Sequence, residues 1–113
     1  MESITAINRL SALAQTNRLA VFRLLIKAGK SGMAAGEIAR ALALAPNTLS
    51  AQLNILSNAG LVTSVREGRS ILYAADFQSM GDLLVYLVED CCNGNPDICV
   101  PIAEATKCLQ GCP

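Results

Sequence analysis

The chain has 113 residues, 52% of them apolar and 4% aromatic, and its nine basic and nine acidic residues leave no formal net charge. That length suits one domain with an aliphatic core, small enough for burial in a dimer to help substantially, and the composition excludes a disordered chain. With no histidine at all, imidazole-assisted zinc sites and the usual histidine-dependent nucleophile and base arrangements are excluded, and enzyme chemistry loses most of its parts.

No apolar run approaches the roughly 20 residues that cross a bilayer, and Met1-Glu2-Ser3-Ile4 lacks the basic start of a secretory signal, so a cytoplasmic protein is expected. The charges are unevenly placed. Up to Ser70 there are eight basic residues against three acids, a net +5; from Ile71 onward Lys107 stands against six acids, a net −5. A front that faces a polyanion, and a back that faces something else, fits that division; two solvated faces are the plain alternative.

In chain order, Ile4, Ile7, Leu10, Leu13 and Ala14 recur at helical spacing and predict an opening helix over 3–14 with one buried stripe. Gln15-Thr16-Asn17 interrupts it, with Thr16 or Asn17 as the expected cap of a second helix that carries Leu19, Phe22, Leu25 and Ile26 to Gly29. Gly32-Met33-Ala34-Ala35-Gly36 reads as a loop. A short third helix follows on Ile38, Ala39, Leu42 and Ala43, and Pro46 suits the first position of a fourth. On that helix Leu49, Leu53 and Leu56 share one face, while Asn47, Ala51, Asn54 and Asn58 lie opposite, flanked by Thr48 and Ser50. Amides and hydroxyls can hydrogen-bond base edges and phosphates, so this face after a short helix and tight turn fits a helix-turn-helix reader.

Gly60 stands where a left-handed cap ends the fourth helix. Leu61 to Arg66 and Ile71 to Ala75 then read as two strands around Glu67-Gly68-Arg69-Ser70, a hairpin with Arg66 and Arg69 at its tip, which is a wing. Asp76 caps a last long helix with Phe77, Met80, Leu83, Leu84, Leu87 and Val88 along one stripe and Val85 and Tyr86 beside it, either core or a subunit interface. The predicted fold is mainly α with a small β-hairpin (α+β), a dimeric winged helix-turn-helix filling residues 1–113 as a single domain.

All five cysteines lie from Cys91 on. Cys91-Cys92-Asn93-Gly94-Asn95-Pro96-Asp97-Ile98-Cys99 holds two turn dipeptides, so the third sulfur can return toward the first two. Soft thiolates without histidine favour thiophilic ions. Trivalent arsenic or antimony is satisfied by three sulfurs, whereas zinc or cadmium usually wants a fourth ligand, for which Cys108, Cys112 or Asp97 is available. Cys108 and Cys112 otherwise read as a pair that forms a disulfide outside the cell or, preferably, as a dispensable tail.

These residues together make the chain resemble the ArsR/SmtB family of winged-helix metalloregulatory repressors from about Leu10 to Val88. The likeness rests on Leu13-Ala14-x-x-x-Arg18-Leu19, Glu37-Ile38-Ala39-x-x-Leu42, Leu49-Ser50-x-x-Leu53-x-x-Leu56-x-x-Ala59-Gly60-Leu61-Val62, and Arg66-Glu67-Gly68-Arg69 before Tyr73. The resemblance implies a homodimer that holds a palindromic operator and releases it when an inducer binds. It places Asn47, Thr48, Ser50, Ala51 and Gln52 on the major-groove part of the recognition helix and Arg66 and Arg69 on the wing. Where the family often has Arg-His or a similar polar pair, this chain has Ala51-Gln52, so phosphate attraction is expected from Arg18, Arg23, Lys27, Lys30, Arg40 and the wing.

The resemblance also bears on the inducer. Ala34-Ala35-Gly36-Glu37 stands where well-known arsenic sensors carry Cys-Val-Cys. Cys91, Cys92 and Cys99 instead look like the C-terminal trivalent-arsenic site of another branch, which implies a non-enzymatic repressor of an arsenic-resistance operon induced by As(III) or Sb(III). A cadmium-, lead- or zinc-responsive repressor and a thiol-redox repressor remain as alternatives on the same fold. A thiol oxidoreductase or metal carrier is the alternative of another class, disfavoured because no Cys-x-x-Cys sits on a strand-to-helix turn.

Overall fold

The computed structural model describes residues 1–88, and over that span the chain forms five α-helices and a three-stranded antiparallel sheet. The helices are α1 (Ser3–Leu13), α2 (Thr16–Ala28), α3 (Ala35–Leu42), α4 (Pro46–Asn58) and α5 (Phe77–Val88), with a 3-10 turn at Gly29–Ser31. The strands are β1 (Met33–Ala34), β2 (Val62–Glu67) and β3 (Ser70–Ala75), in spatial order β1-β3-β2. Among the described residues no helix is long and apolar enough to cross a membrane.

The core is aliphatic. Val21, Phe22 and Leu25 of α2 meet Ile38 of α3, Leu49, Leu53 and Leu56 of α4, and Leu61, Val62 and Ala75 at the base of the sheet, all buried. Each fully buried leucine contributes roughly 1.5–3 kcal/mol relative to an exposed one, so the apolar stripe of α4 fixes which of its faces looks outward. Between α3 and α4 the chain turns at Ala43, which adopts the left-handed conformation (φ 54°, ψ 45°) while the Leu44 amide donates to the Ala39 carbonyl at 3.0 Å. That is a Schellman closure with alanine where glycine is usual.

Three local expectations need correction. The cap of α2 is Gln15, whose Oε1 accepts the Arg18 amide at 2.9 Å; Thr16 is already helical, because the longer glutamine side chain reaches the free amide from one residue earlier. The stretch read as a loop at 32–36 holds β1, with Met33 opposite Tyr73 and Ala34 opposite Leu72, and its last two residues open α3. Gly32 (φ +71°) makes this approach possible, since a Cβ there would run into the Tyr73 carbonyl oxygen. The third concerns α1, whose buried residues are Ala6 and Ala12; Ile4, Ile7 and Leu10 of the expected stripe are exposed. Of the α5 stripe only Leu83 is buried, Met80 packs against the core, and Phe77, Leu84 and Leu87 are exposed.

Candidate nucleic-acid interface

Three devices in the sequence set up the outward face of α4. Pro46 occupies the first turn, where its missing amide costs nothing. Leu49, Leu53 and Leu56 anchor one side, and Gly60 (φ +81°) closes the other end while the Leu61 amide donates to the Leu56 carbonyl at 3.0 Å. Asn47, Thr48, Ser50, Ala51, Asn54 and Asn58 are all exposed, with Ile55 and Ser57 exposed beside them. With about 100° per residue, Asn47, Ala51, Asn54 and Asn58 point away from the core, a strip of amides with one methyl-sized gap at Ala51.

Gln52 stands apart from the other positions expected to read bases. It follows Leu49 by three and precedes Leu56 by four, so it lies beside the buried stripe and is half-buried. Its Oε1 accepts from Arg18 Nη1 at 3.2 Å. Arg18 in turn directs Nε to the Ala12 carbonyl at 2.7 Å and Nη2 to the Ser11 carbonyl at 3.5 Å, at the C-terminal end of α1. A guanidinium there satisfies carbonyls the helix leaves open and suits the negative end of its dipole. Arg18 and Gln52 thus brace α4 against the α1–α2 junction. Arg18 takes one of the two lone pairs of Gln52 Oε1, so the second lone pair and the NH2 stay available, and the bond to Arg18 sets the orientation in which the amide is presented. The 34-residue separation of this pair leaves no mark in local sequence pattern.

The wing is a regular hairpin. Val62 pairs with Ala75 at the base and Glu67 with Ser70 at the tip, joined by the two-residue turn Gly68-Arg69 with φ +62° at Gly68. Beyond Val62 every residue of β2 is exposed, so the arm projects from the core. Arg66 and Arg69 are both exposed at its end, with Arg66 Nε donating to the Gly68 carbonyl at 3.4 Å. Cations on a projecting hairpin beside a polar helix form a two-part surface of the sort that straddles a groove and its phosphates.

Cys91, Cys92 and Cys99, expected to hold the inducer, lie outside the described residues, as do Cys108 and Cys112. Among the described residues no cluster of three or more histidine, cysteine or acidic side chains is placed to hold a metal ion.

Comparison with known proteins places this arrangement. A family model described as a helix-turn-helix domain matches residues 13–65. A homodimeric winged helix-turn-helix DNA-binding domain from Mycobacterium bovis, described as a possible ArsR-family transcriptional regulator, is 31% identical; the match covers 76% of this chain and 79% of that one, with a TM-score of 0.62. The chain belongs to the ArsR family of transcriptional regulators. An ArsR-like regulator from Rhodococcus sp. RHA1, 22% identical, shares the fold across 90% of this chain and 92% of its own at a TM-score of 0.69. A structure named as a possible transcriptional regulator for arsenical resistance is 25% identical over 71% of this chain and 80% of that one, TM-score 0.62. No curated protein sequence matches the chain. In this ArsR-family member the helix-turn-helix is α3 and α4, followed by the β2–β3 wing.

Proposed function

We propose that the protein is a homodimeric repressor of arsenic-resistance genes that holds a palindromic operator and releases it when As(III) or Sb(III) binds Cys91, Cys92 and Cys99. Asn47, Thr48, Ser50 and Ala51 meet base edges, Gln52 contributes its amide from the braced flank, and Arg66 and Arg69 meet phosphates. The observation that carries the reading is the pairing of this exposed polar helix and basic wing with a histidine-free set of thiols that begins three residues after the last described residue of α5.

Surface chemistry supports the dimer. Ile4, Ile7 and Leu10 of α1 and Leu84, Val85 and Leu87 of α5 are all exposed in the single chain, and a hydrogen bond of 2.9 Å between Ser3 Oγ and Tyr86 Oη links the two helices. An apolar surface of that kind, rimmed by polar groups, marks a protein interface. Two copies would present two α4 helices, as a palindrome requires.

Donor chemistry supports the inducer. Three thiolates satisfy a trivalent metalloid, and the lack of histidine shifts the set away from the borderline metals. Because the thiols follow α5, ligand binding acts first on the helix proposed to join the subunits, and DNA affinity changes through the altered spacing of the two α4 helices. Coupling of this kind is typically about 5- to 150-fold in affinity. Anisotropy titration of operator DNA with arsenite, antimonite, cadmium, zinc or peroxide tests the assignment: arsenite releases wild-type protein, and Cys91→Ser, Cys92→Ser and Cys99→Ser each hold the DNA. Release by cadmium or zinc alone, or by peroxide alone, replaces the metalloid with a metal ion or an oxidant.

A further inference from the structure

Arg9 reaches from α1 to two carbonyls on two other elements. Its Nε donates to the Ala59 carbonyl at 3.3 Å, and its Nη1 donates to the Ser79 carbonyl at 2.9 Å. Ala59 closes α4, and its carbonyl is among those a helix leaves without an internal partner. Ser79 lies in the first turn of α5.

A second tie runs parallel to the first. The Asp76 amide donates to the Leu61 carbonyl at 2.8 Å, and Asp76 Oδ1 accepts the Ser79 amide at 3.1 Å. The start of α5 and the end of α4 are therefore joined by one backbone hydrogen bond and one forked side chain. A guanidinium is planar, with donors at fixed angles. Both Arg9 bonds form at one relative setting of α4 and α5, and one of them is lost when α5 turns or slides.

We infer that Arg9 is a positioning residue for DNA reading, the link through which the setting of α5 fixes the setting of the recognition helix. The inference requires only that the protein reads DNA, whichever inducer releases it. Linkage makes the effect reciprocal, so operator binding at α4 is felt in the first turns of α5.

The test uses a duplex selected by wild-type protein from a randomised library, with a random duplex of the same length as control. Arg9→Met and Arg9→Lys are compared with wild type by anisotropy, circular dichroism and backbone amide NMR. Random-DNA affinity is expected to stay within about twofold, because the guanidinium is engaged by the Ala59 and Ser79 carbonyls and lies on neither α4 nor the wing. The ratio of selected to random affinity is expected to fall about 5- to 10-fold in both variants, in the range of ordinary coupling between sites. The selected duplex shifts the amides of residues 79–83 in wild type and leaves them in place in the variants. Lysine does not rescue, since an ammonium is a point donor that cannot span two carbonyls. If Arg9→Met fails to fold, Arg9→Lys alone decides. Wild-type discrimination in Arg9→Lys, an intact α5 response in either variant, or a parallel loss of selected and random binding overturns the inference.

Discussion

Removal of one wing cation gives the sharpest reading of how this surface meets DNA. Arg69 is exposed in the two-residue turn at the far end of a hairpin whose outer residues contact no core, so Arg69→Ala removes a charge without opening a cavity. Each phosphate neutralised contributes about 0.9 to the slope of log affinity against log salt. A dimer carries two copies of Arg69, so the slope falls by about 1.8, and over a fourfold rise in salt wild type loses roughly 12-fold more affinity than the variant. Anisotropy titrations at four or five salt concentrations, on selected and random duplexes in parallel, measure it. Both duplexes should show the same change, because a phosphate contact carries no sequence information. An unchanged slope, or a loss confined to the selected duplex, would refute the placement of Arg69 on the phosphate backbone.

Other consequences follow from the packing. Ala43→Gly relieves the left-handed conformation between α3 and α4; about 1–2 kcal/mol of strain, less the added freedom of glycine in the unfolded chain, leaves roughly 0.5–1 kcal/mol of stabilisation in a denaturant melt. Gly32→Ala meets both a positive φ and the Tyr73 carbonyl, and should cost at least about 2 kcal/mol in the same assay. Val85→Glu, on the exposed face of α5 (63% accessible), should leave the fold intact while shifting sedimentation from dimer to monomer and weakening operator binding at least tenfold (about 1.4 kcal/mol or more); an unchanged sedimentation coefficient places the interface elsewhere.

The recognition helix and wing were legible because their signals are local: Pro46 at the start of α4, leucines at 49, 53 and 56, Gly60 at its end, and a glycine turn between alternating strands. Strand β1 was not, because two residues carry no period and their pairing depends on Gly32 passing close to Tyr73. Periodicity on α1 located a stripe but could not say what covers it, so Ile4, Ile7 and Leu10 read as buried although the single chain leaves them exposed. The arginine contacts were hidden for a third reason. Arg18 to Gln52 and Arg9 to Ala59 and Ser79 join residues far apart in the chain, and a charge count sees only cations available to DNA where two of them serve to hold α4 in place. The proposed thiol site, Cys91, Cys92 and Cys99, lies outside the described residues and rests on donor type, donor number and the family resemblance.

The central question is whether Cys91, Cys92 and Cys99 govern the hold on DNA. The direct measurement is operator affinity with and without arsenite, for wild type and Cys99→Ser under reducing conditions. Arsenite should weaken wild-type binding by at least about tenfold and leave Cys99→Ser within about twofold of its metalloid-free value. Wild-type protein that holds its operator unchanged in saturating arsenite, or Cys99→Ser protein that releases as wild type does, would contradict it.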